Sequence, residues 1–455
     1  MVALIEASGR SVTFDALRTM SSTNVTAWSR KGIGPGDRVL VAMGVGADLY
    51  AALDAIWRLG ATAVLPEPAL GLAGIRHACR ICDISAICTS GLYGTIRFLV
   101  PRLLLKPALT PTRPGAAIGT DLSSPDGIAL ISFTSGTSGR PKAIARTHRF
   151  LMAQRAAIAP LLQGDAHHRD LVAFPVFVLL NLADGRCSIL PNWQMQRPDK
   201  LTRDALIRRI AQTGATRLLI PPRIAETLTT GGIPPTIETI FTGGGPIYPD
   251  TIRRLQAAPH APRIVCVYGS TEAEPIAHLD CGDITEDDFT AMENGAGLLA
   301  GYPVPAIDLQ IEDHEIRVTG PHVNEGYLDP RDDDDNKIRS DGRTWHRTGD
   351  AGRCDDAGRL WLLGRRNAIL KHDGELVSPF AIEAAARSWA GIRRAALLPD
   401  PLTLFVEAEE DAMPDWRKRA AALKIDRIVR VKAIPMDRRH RSKVDLTALR
   451  RAIGE

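Results

Sequence analysis

Up to Glu272, short β-branched runs alternate along the chain with amphipathic segments of helix length. "DRVLVAMG" precedes "ADLYAALDAIWRLG", "ATAVLPE" precedes "GLAGIRHACRIC", "TRLLIPP" precedes "RIAETLTT", and "IETIFTGGG" precedes "DTIRRLQAA", before "RIVCVYGSTE". Alternation of this kind predicts parallel strands joined by crossover helices, an α/β architecture. Beyond Asp280 the pattern changes to hairpin-like pieces, "IDLQIEDHEIRVTG" and "HRTGDAGRCDDAGRLWLLGRR", with turn chemistry at "DDAG". After Arg365 a small mixed region ends in a basic tail. A boundary is expected between Gly364 and Asn367, dividing a large domain, residues 1–364, from a small one, residues 365–455.

Three glycine- or hydroxyl-rich loops each follow a predicted strand: "FTSGTSGRPK" at Phe133 to Lys142, "FTGGGPI" at Phe241 to Ile247, and "VYGSTE" at Val267 to Glu272. In open parallel sheets ligands bind beyond the carboxyl ends of the strands, so three such loops can converge on one ligand.

Composition narrows the classes. The chain has 455 residues, 45% hydrophobic and 24% charged, which is enough apolar material for substantial cores and argues against disorder. The longest uncharged apolar run, Leu171 to Ala183, is too short to span a bilayer. The start "MVALIEASGR" lacks a basic segment followed by an apolar one, so a cytosolic (cytoplasmic) protein with no membrane span is expected. Seven scattered cysteines fit reduced thiols, and Cys79, Cys82 and Cys88 have no second pair at zinc-ligand spacing. His167 and His168 read as a solvated loop, as does the acidic run Asp332 to Asp335. A net charge of +4 does not suggest a nucleic-acid binder. From Pro414 onward, however, 13 Lys and Arg stand against 5 Asp and Glu, net +8. That tail is either a solvated basic face or a cationic segment that meets a polyphosphate.

The loop "FTSGTSGRPK" is not a P-loop of the GxxxxGK[ST] type, because Gly136 and Gly139 are too close together and Lys142 precedes Ala143. It does offer successive backbone N–H groups, the hydroxyls of Thr134, Ser135, Thr137 and Ser138, and one ammonium. It can wrap an anion as a nest or serve as an ordinary turn.

Five motifs occur in order: "TSGTSGRPK", "YGSTE", "RTGD", "GRR" and "RRHRSKVD". In order and spacing they resemble the adenylate-forming superfamily of acyl-CoA synthetases, nonribosomal-peptide adenylation domains and luciferases, over nearly the whole chain. The resemblance implies that fold, an AMP-forming ligase activity, and ATP with Mg²⁺. Thr134, Ser135, Gly136, Thr137, Ser138, Gly139 and Lys142 would hold the β- and γ-phosphates. Glu272 would ligate Mg²⁺, a hard oxygen for a hard cation, with Thr271 near the α-phosphate. Tyr268, Gly269 and Ser270 would line the nucleotide, with Tyr268 on the adenine and Gly243, Gly244 and Gly245 beside the purine. Asp350 would accept from the ribose hydroxyls, helped by Arg365. Lys443 would reach from the small domain to the attacking carboxylate and α-phosphate.

In this superfamily the small domain usually rotates about a hinge, and Asn367 stands at that position. The element whose histidine or aromatic residue gates the acyl pocket appears here as "FPVFVLLNL", which places Phe177 in the pocket and Val178 at the gate. This departure puts an ordinary CoA-ligase cycle in doubt. The stretches "YGSTEAEPIA" and "PMDRRHRSK" are among those most similar to β-lactone synthetases of olefin biosynthesis, which adenylate a β-hydroxy acid and close it without CoA. The resemblance therefore implies a small carboxylic acid substrate, with lactone closure ahead of thioester formation on CoA or a carrier protein. A catalytically silent nucleotide binder is the reading from another class. Arg438, Arg439, His440 and Arg441 contact either a nucleotide or CoA phosphate, or only solvent.

Overall fold

The computed structural model describes the chain apart from residues 67–70, 113–120, 135–140, 166, 196–199, 400, 409–411, 436–443 and 453–455. It divides into two compact units. The first holds residues 1–219, 271–274 and 321–337, and the second holds 220–270, 275–320 and 338–455.

In the first unit a six-stranded sheet runs in the order Ala108–Leu109, Ala86–Thr89, Arg38–Ala42, Thr62–Leu65, Ile128–Thr134 and Lys142–Thr147. All neighbours are parallel except the last pair, which is antiparallel. Helices Ala47–Arg58 and Gly71–Ile81 make the crossovers that the sequence pattern predicts. Leu40, Val64, Ile87 and Ile131 are fully buried in its core, as expected of strands covered on both faces. Cys79, Cys82 and Cys88 lie in or beside this core as free thiols. Burial pushes the Cys82 thiol up to about 11 and that of Cys88 to about 12.

A second parallel group in the same unit joins Val2–Ile5, Cys187–Ile189, Arg169–Val172 and Arg217–Ile220. Here Asp170 and Arg217, both 1% exposed, form a bidentate pair at 2.7 and 2.8 Å. Asn181 donates to the same carboxylate at 2.9 Å, and Arg217 also reaches the carbonyls of Leu162 and Gln163. This dense set of hydrogen bonds offsets the cost of taking both charges out of water.

In the second unit Thr239–Gly243 lies parallel to Arg263–Ser270, and the pairs from Ala273–Asp280 with Leu298–Pro303 through to Asp308–Glu312 with Glu315–Thr319 are antiparallel. The expected hairpin "IDLQIEDHEIRVTG" forms as Asp308–Glu312 and Glu315–Thr319. Its two turn residues, Asp313 and His314, both have positive φ, as a two-residue primed turn requires. The helix expected at "RIAETLTT" is cut short to Pro222–Ala225 and a 3-10 turn at Glu226–Leu228. Thr227 and Thr229 turn their hydroxyls back onto the carbonyls of Ile224 and Glu226, and Gly231 and Gly232 adopt positive φ immediately afterwards.

The C-terminal part of this unit is a three-stranded sheet, Ile392–Leu398, Thr403–Ala408 and Arg427–Val431, packed with helices Pro379–Arg387 and Met413–Ala422 around Trp389 and Trp416. Arg387 ties it to the rest of the unit: its guanidinium lies 3.8 Å from the Tyr248 ring centroid and bonds Glu226 at 3.1 Å. The expected boundary at Gly364 to Asn367 falls inside this second unit.

Glu383, on the helix facing that sheet, accepts from the Leu397 N–H at 2.9 Å. Burial pushes its carboxyl up to about 7, and the Leu397 N–H only partly opposes this. Because the folded value lies above the ordinary 4.5, the folded chain retains a proton that the unfolded chain releases. The stability from this group is complete below pH 4.5 and is lost as pH rises through about 7. Glu383→Gln keeps the acceptor and removes the charge. Its unfolding free energy relative to the parent should therefore stay level below pH 4.5 and gain on the order of 3 kcal/mol by pH 8, read by denaturant titration at each pH.

Candidate active site

The stem of the "FTSGTSGRPK" loop is an antiparallel pair in which Thr134 stands opposite Lys142. His77 fixes the exit strand: its Nε2 lies 3.0 Å from the Pro141 carbonyl, which only accepts, so Nε2 carries the proton. Nδ1 then accepts from Arg80. Lys142 is 8% exposed, with its ammonium 5.3 Å from the Tyr327 ring centroid. Ser135, Gly136, Thr137, Ser138 and Gly139 lie outside the described residues, as does Lys443.

Glu272 belongs to the same unit as this stem and is held from several sides. The Tyr327 hydroxyl donates to its Oε1 at 2.9 Å, and its carbonyl accepts from the Asn324 N–H at 2.7 Å. Bridges Ile144 to Tyr327 and Ala273 to Val323 stitch residues 321–337 to both neighbours. Tyr327 is 7% exposed, and burial together with the Glu272 charge keeps its phenol protonated as a donor. Among the described residues Oε2 of Glu272 has no donor, so one hard oxygen is open to a cation while the other is oriented. This fits a magnesium ligand.

Arg146, 6% exposed, donates to the Thr271 carbonyl at 2.6 Å, and its buried Nε has no partner among the described residues. Burial lowers its proton affinity, and the charges of Glu274 and Glu272 oppose that shift. Glu274 lies two residues beyond Glu272 on the strand Ala273–Asp280. Burial pushes its carboxyl up to about 7 against the pull of Arg146, and no hydrogen-bond donor reaches it among the described residues. The unit thus gathers two cations, Lys142 and Arg146, with two carboxylates, Glu272 and Glu274. Arg146, Glu274 and Tyr327 were not among the sequence candidates. None of the three carried a motif: Arg146 and Glu274 share their strands with other polar residues, and Tyr327 sits 55 residues from Glu272.

The nucleoside candidates lie in the second unit. The Tyr268 hydroxyl donates to Asp350 Oδ2 at 2.8 Å, and Arg365 faces Asp350 Oδ1 at 3.2 Å. Strand register places Asp350 opposite Arg365, and the Asp350 N–H bonds the Thr348 hydroxyl at 3.0 Å. Burial, then the Asp350 charge, raises the Tyr268 phenol well above its ordinary range. A Cβ on Gly243 would lie 2.5 Å from the Val267 carbonyl, so glycine is required where the two parallel strands approach. Gly244 has φ +76°, and Gly245 follows it. Both strands extend into their motifs, as far as Gly243 and Ser270, so Tyr268, Gly269 and Ser270 are strand residues. Thr271 is exposed beyond the strand.

Phe177 and Val178 lie on the helix Pro175–Ala183. Val178 is fully buried, while Phe177 is partly exposed with its ring 5.8 Å from that of Phe174. Asn367 is exposed in the turn Arg366–Ala368. His167, His168 and Asp165 place ligand-capable atoms within 4.8 Å of one another, and His168 Nδ1 is taken by the Asp165 N–H.

Residues 1–328 match the family described as AMP-binding enzyme. The chain belongs to this family. It is an adenylate-forming enzyme with the fold that its motifs imply. It is 28% identical over 417 residues to an olefin beta-lactone synthetase of Stenotrophomonas maltophilia, covering 81% of this chain and 74% of that one. A second olefin beta-lactone synthetase, from Xanthomonas campestris pv. campestris, is 26% identical, with 91% and 85% covered. Among solved structures, O-succinylbenzoate Coenzyme A Synthetase from Bacillus subtilis, in complex with ATP and magnesium ion, shares the fold. It matches with a TM-score of 0.77 at 19% identity over 97% of this chain and 95% of that one.

The Tyr327 hydroxyl orients the carboxylate of this AMP-binding enzyme that is open to a cation. Removing a hydrogen bond to a charged group costs roughly 1.5–3 kcal/mol. Tyr327→Phe should therefore raise the Mg²⁺ concentration giving half-maximal pyrophosphate release by about tenfold or more, with a smaller loss at saturating Mg²⁺. A magnesium titration of initial rates checks this.

Proposed function

We propose that this enzyme activates a β-hydroxy carboxylic acid with ATP and then lets the acid's own hydroxyl displace AMP, closing a β-lactone. In the first step a carboxylate oxygen forms a bond to the α-phosphorus, and the bond to the bridging oxygen breaks, releasing pyrophosphate. In the second the hydroxyl oxygen bonds the acyl carbon, AMP leaves with the electron pair of the cleaved acyl–phosphate anhydride bond, and the hydroxyl proton is released. The product is one water lighter than the acid.

The observation that carries the first step is the grouping of Lys142, Arg146 and Glu272 in one unit. An anion attacking another anion needs charge cancelled in place before the transition state forms. On this reading Lys142 and the loop from Thr134 hold the outer phosphates of ATP, Glu272 Oε2 ligates Mg²⁺, and Thr271 lies by the α-phosphate. Tyr268, Asp350 and Arg365 hold the nucleoside, Lys443 stabilises the attacking carboxylate, and Asn367 is the hinge. Phe177 then lines the acyl pocket.

The similarity to two olefin beta-lactone synthetases over most of both chains supports the second step. Thioester formation on CoA or a carrier protein is the second reading, favoured by the fold shared with a Coenzyme A synthetase.

The deciding experiment incubates β-hydroxy acids of several lengths, and their unhydroxylated counterparts, with ATP and Mg²⁺, with and without CoA. Pyrophosphate and AMP released without CoA, with a product one water lighter than the acid, are expected. AMP release only with CoA would move the enzyme to the second reading, and no pyrophosphate from any acid would leave a nucleotide binder. Lys443→Ala should lower pyrophosphate release by about a hundredfold or more while ATP binding stays measurable by calorimetry. Unchanged release would remove Lys443 from the reaction.

A further inference from the structure

Between Glu67 and Asp121 the sequence holds six Lys or Arg and a single acidic residue, Asp83. Within this stretch residues 91–105 fold as three one-turn pieces, Gly91–Thr95, Ile96–Leu99 and Pro101–Leu103. Val100 and Leu103 point inward and are 2% and 0% exposed. They pack with Cys79, Cys82 and Ile87.

The outward side is unusual. Leu92 is 89% exposed, Phe98 69% and Leu105 96%, and Tyr93, Leu99 and Leu104 are exposed as well. Half of the twelve exposed large apolar side chains among the described residues fall in these fourteen positions, 92–105. Apolar side chains scattered singly over a surface need no partner, but a concentration of this kind marks an interaction site.

The charges around the patch choose the partner. Arg76 donates to the Leu99 carbonyl at 3.3 Å, Arg97 to that of Leu104 at 2.9 Å, and Arg102 to that of Cys79 at 3.3 Å. These guanidinium groups brace the segment through neutral carbonyls, and among the described residues none of the three pairs with a carboxylate. Lys106 follows the last exposed leucine. Exposed apolar side chains interleaved with cations suit a surface whose headgroups are anionic and whose interior is hydrocarbon. No helix among the described residues is long and apolar enough to cross a membrane, so such contact would be peripheral.

We propose that residues 91–106 dock this enzyme on an anionic phospholipid bilayer, with Leu92, Phe98 and Leu105 entering the headgroup boundary and Arg97, Arg102 and Lys106 meeting lipid phosphates. The test is co-sedimentation with vesicles of equal parts phosphatidylcholine and phosphatidylglycerol, and with phosphatidylcholine alone, at low and high salt. The parent should sediment with the anionic vesicles and be released by salt. Leu92→Ser combined with Leu105→Ser should bind about tenfold less, and Lys106→Glu should weaken binding on the anionic vesicles only. Leu92 and Leu105 are almost wholly exposed, so the double variant should keep its unfolding midpoint and its pyrophosphate release from a soluble acid. A parent that stays in the supernatant with both vesicle types would overturn the proposal, as would a double variant that binds like the parent. A parent dimer in solution that the double variant makes monomeric, with no vesicle binding by either, would assign the patch to a second copy of the chain and overturn it equally.

Discussion

The arrangement of the first unit depends on a guanidinium that cannot shed its charge. Arg146 is buried in the strand Lys142–Thr147, and an arginine in that position must be met by oxygen or the fold carries an unpaid desolvation cost. The Thr271 carbonyl meets it at 2.6 Å, and the charges of Glu272 and Glu274 surround it. Satisfying one cation therefore brings a segment from more than a hundred residues downstream against the stem of the candidate phosphate loop. Residues 321–337 then close over that segment through Asn324 and Tyr327. The candidate magnesium ligand is set in place by the solution to a burial problem in the strand beside it.

How much of this could be read beforehand follows from the range of the interactions. The alternation of apolar strands and amphipathic helices is local, and the strands at Arg38–Ala42, Thr62–Leu65 and Thr239–Gly243 lie where the periodicity places them. The glycine at Gly243 also has a local signature, although its cause, a neighbouring strand 2.5 Å from any Cβ, is not local. The segment "RIAETLTT" misleads because its apolar spacing suits a helix while threonine hydroxyls compete for its carbonyls. The partners of Glu272 are harder still. Tyr327 carries no motif and reaches the site only through strand bridges between segments far apart in sequence. Glu274 reads in the sequence as one more charged residue, and only its desolvation sets it apart.

The second half-reaction turns on what must move. If the part of the chain beyond Asn367 rotates, the contacts of Arg387 with Tyr248 and Glu226 must break, since they join that part to the rest of its unit. A stacked guanidinium that also bonds a carboxylate is a specific latch, and its loss has to be offset in any rotated arrangement. Thioester formation, as the superfamily resemblance implies, needs such a rotation to bring an external thiol to the adenylate. Lactone closure does not, because the nucleophile arrives covalently attached to the carbonyl it attacks and its effective concentration is fixed by the substrate itself. The Arg387 latch is thus a cost for one route and indifferent to the other. The chemistry that leaves it undisturbed is the one in which the substrate attacks itself.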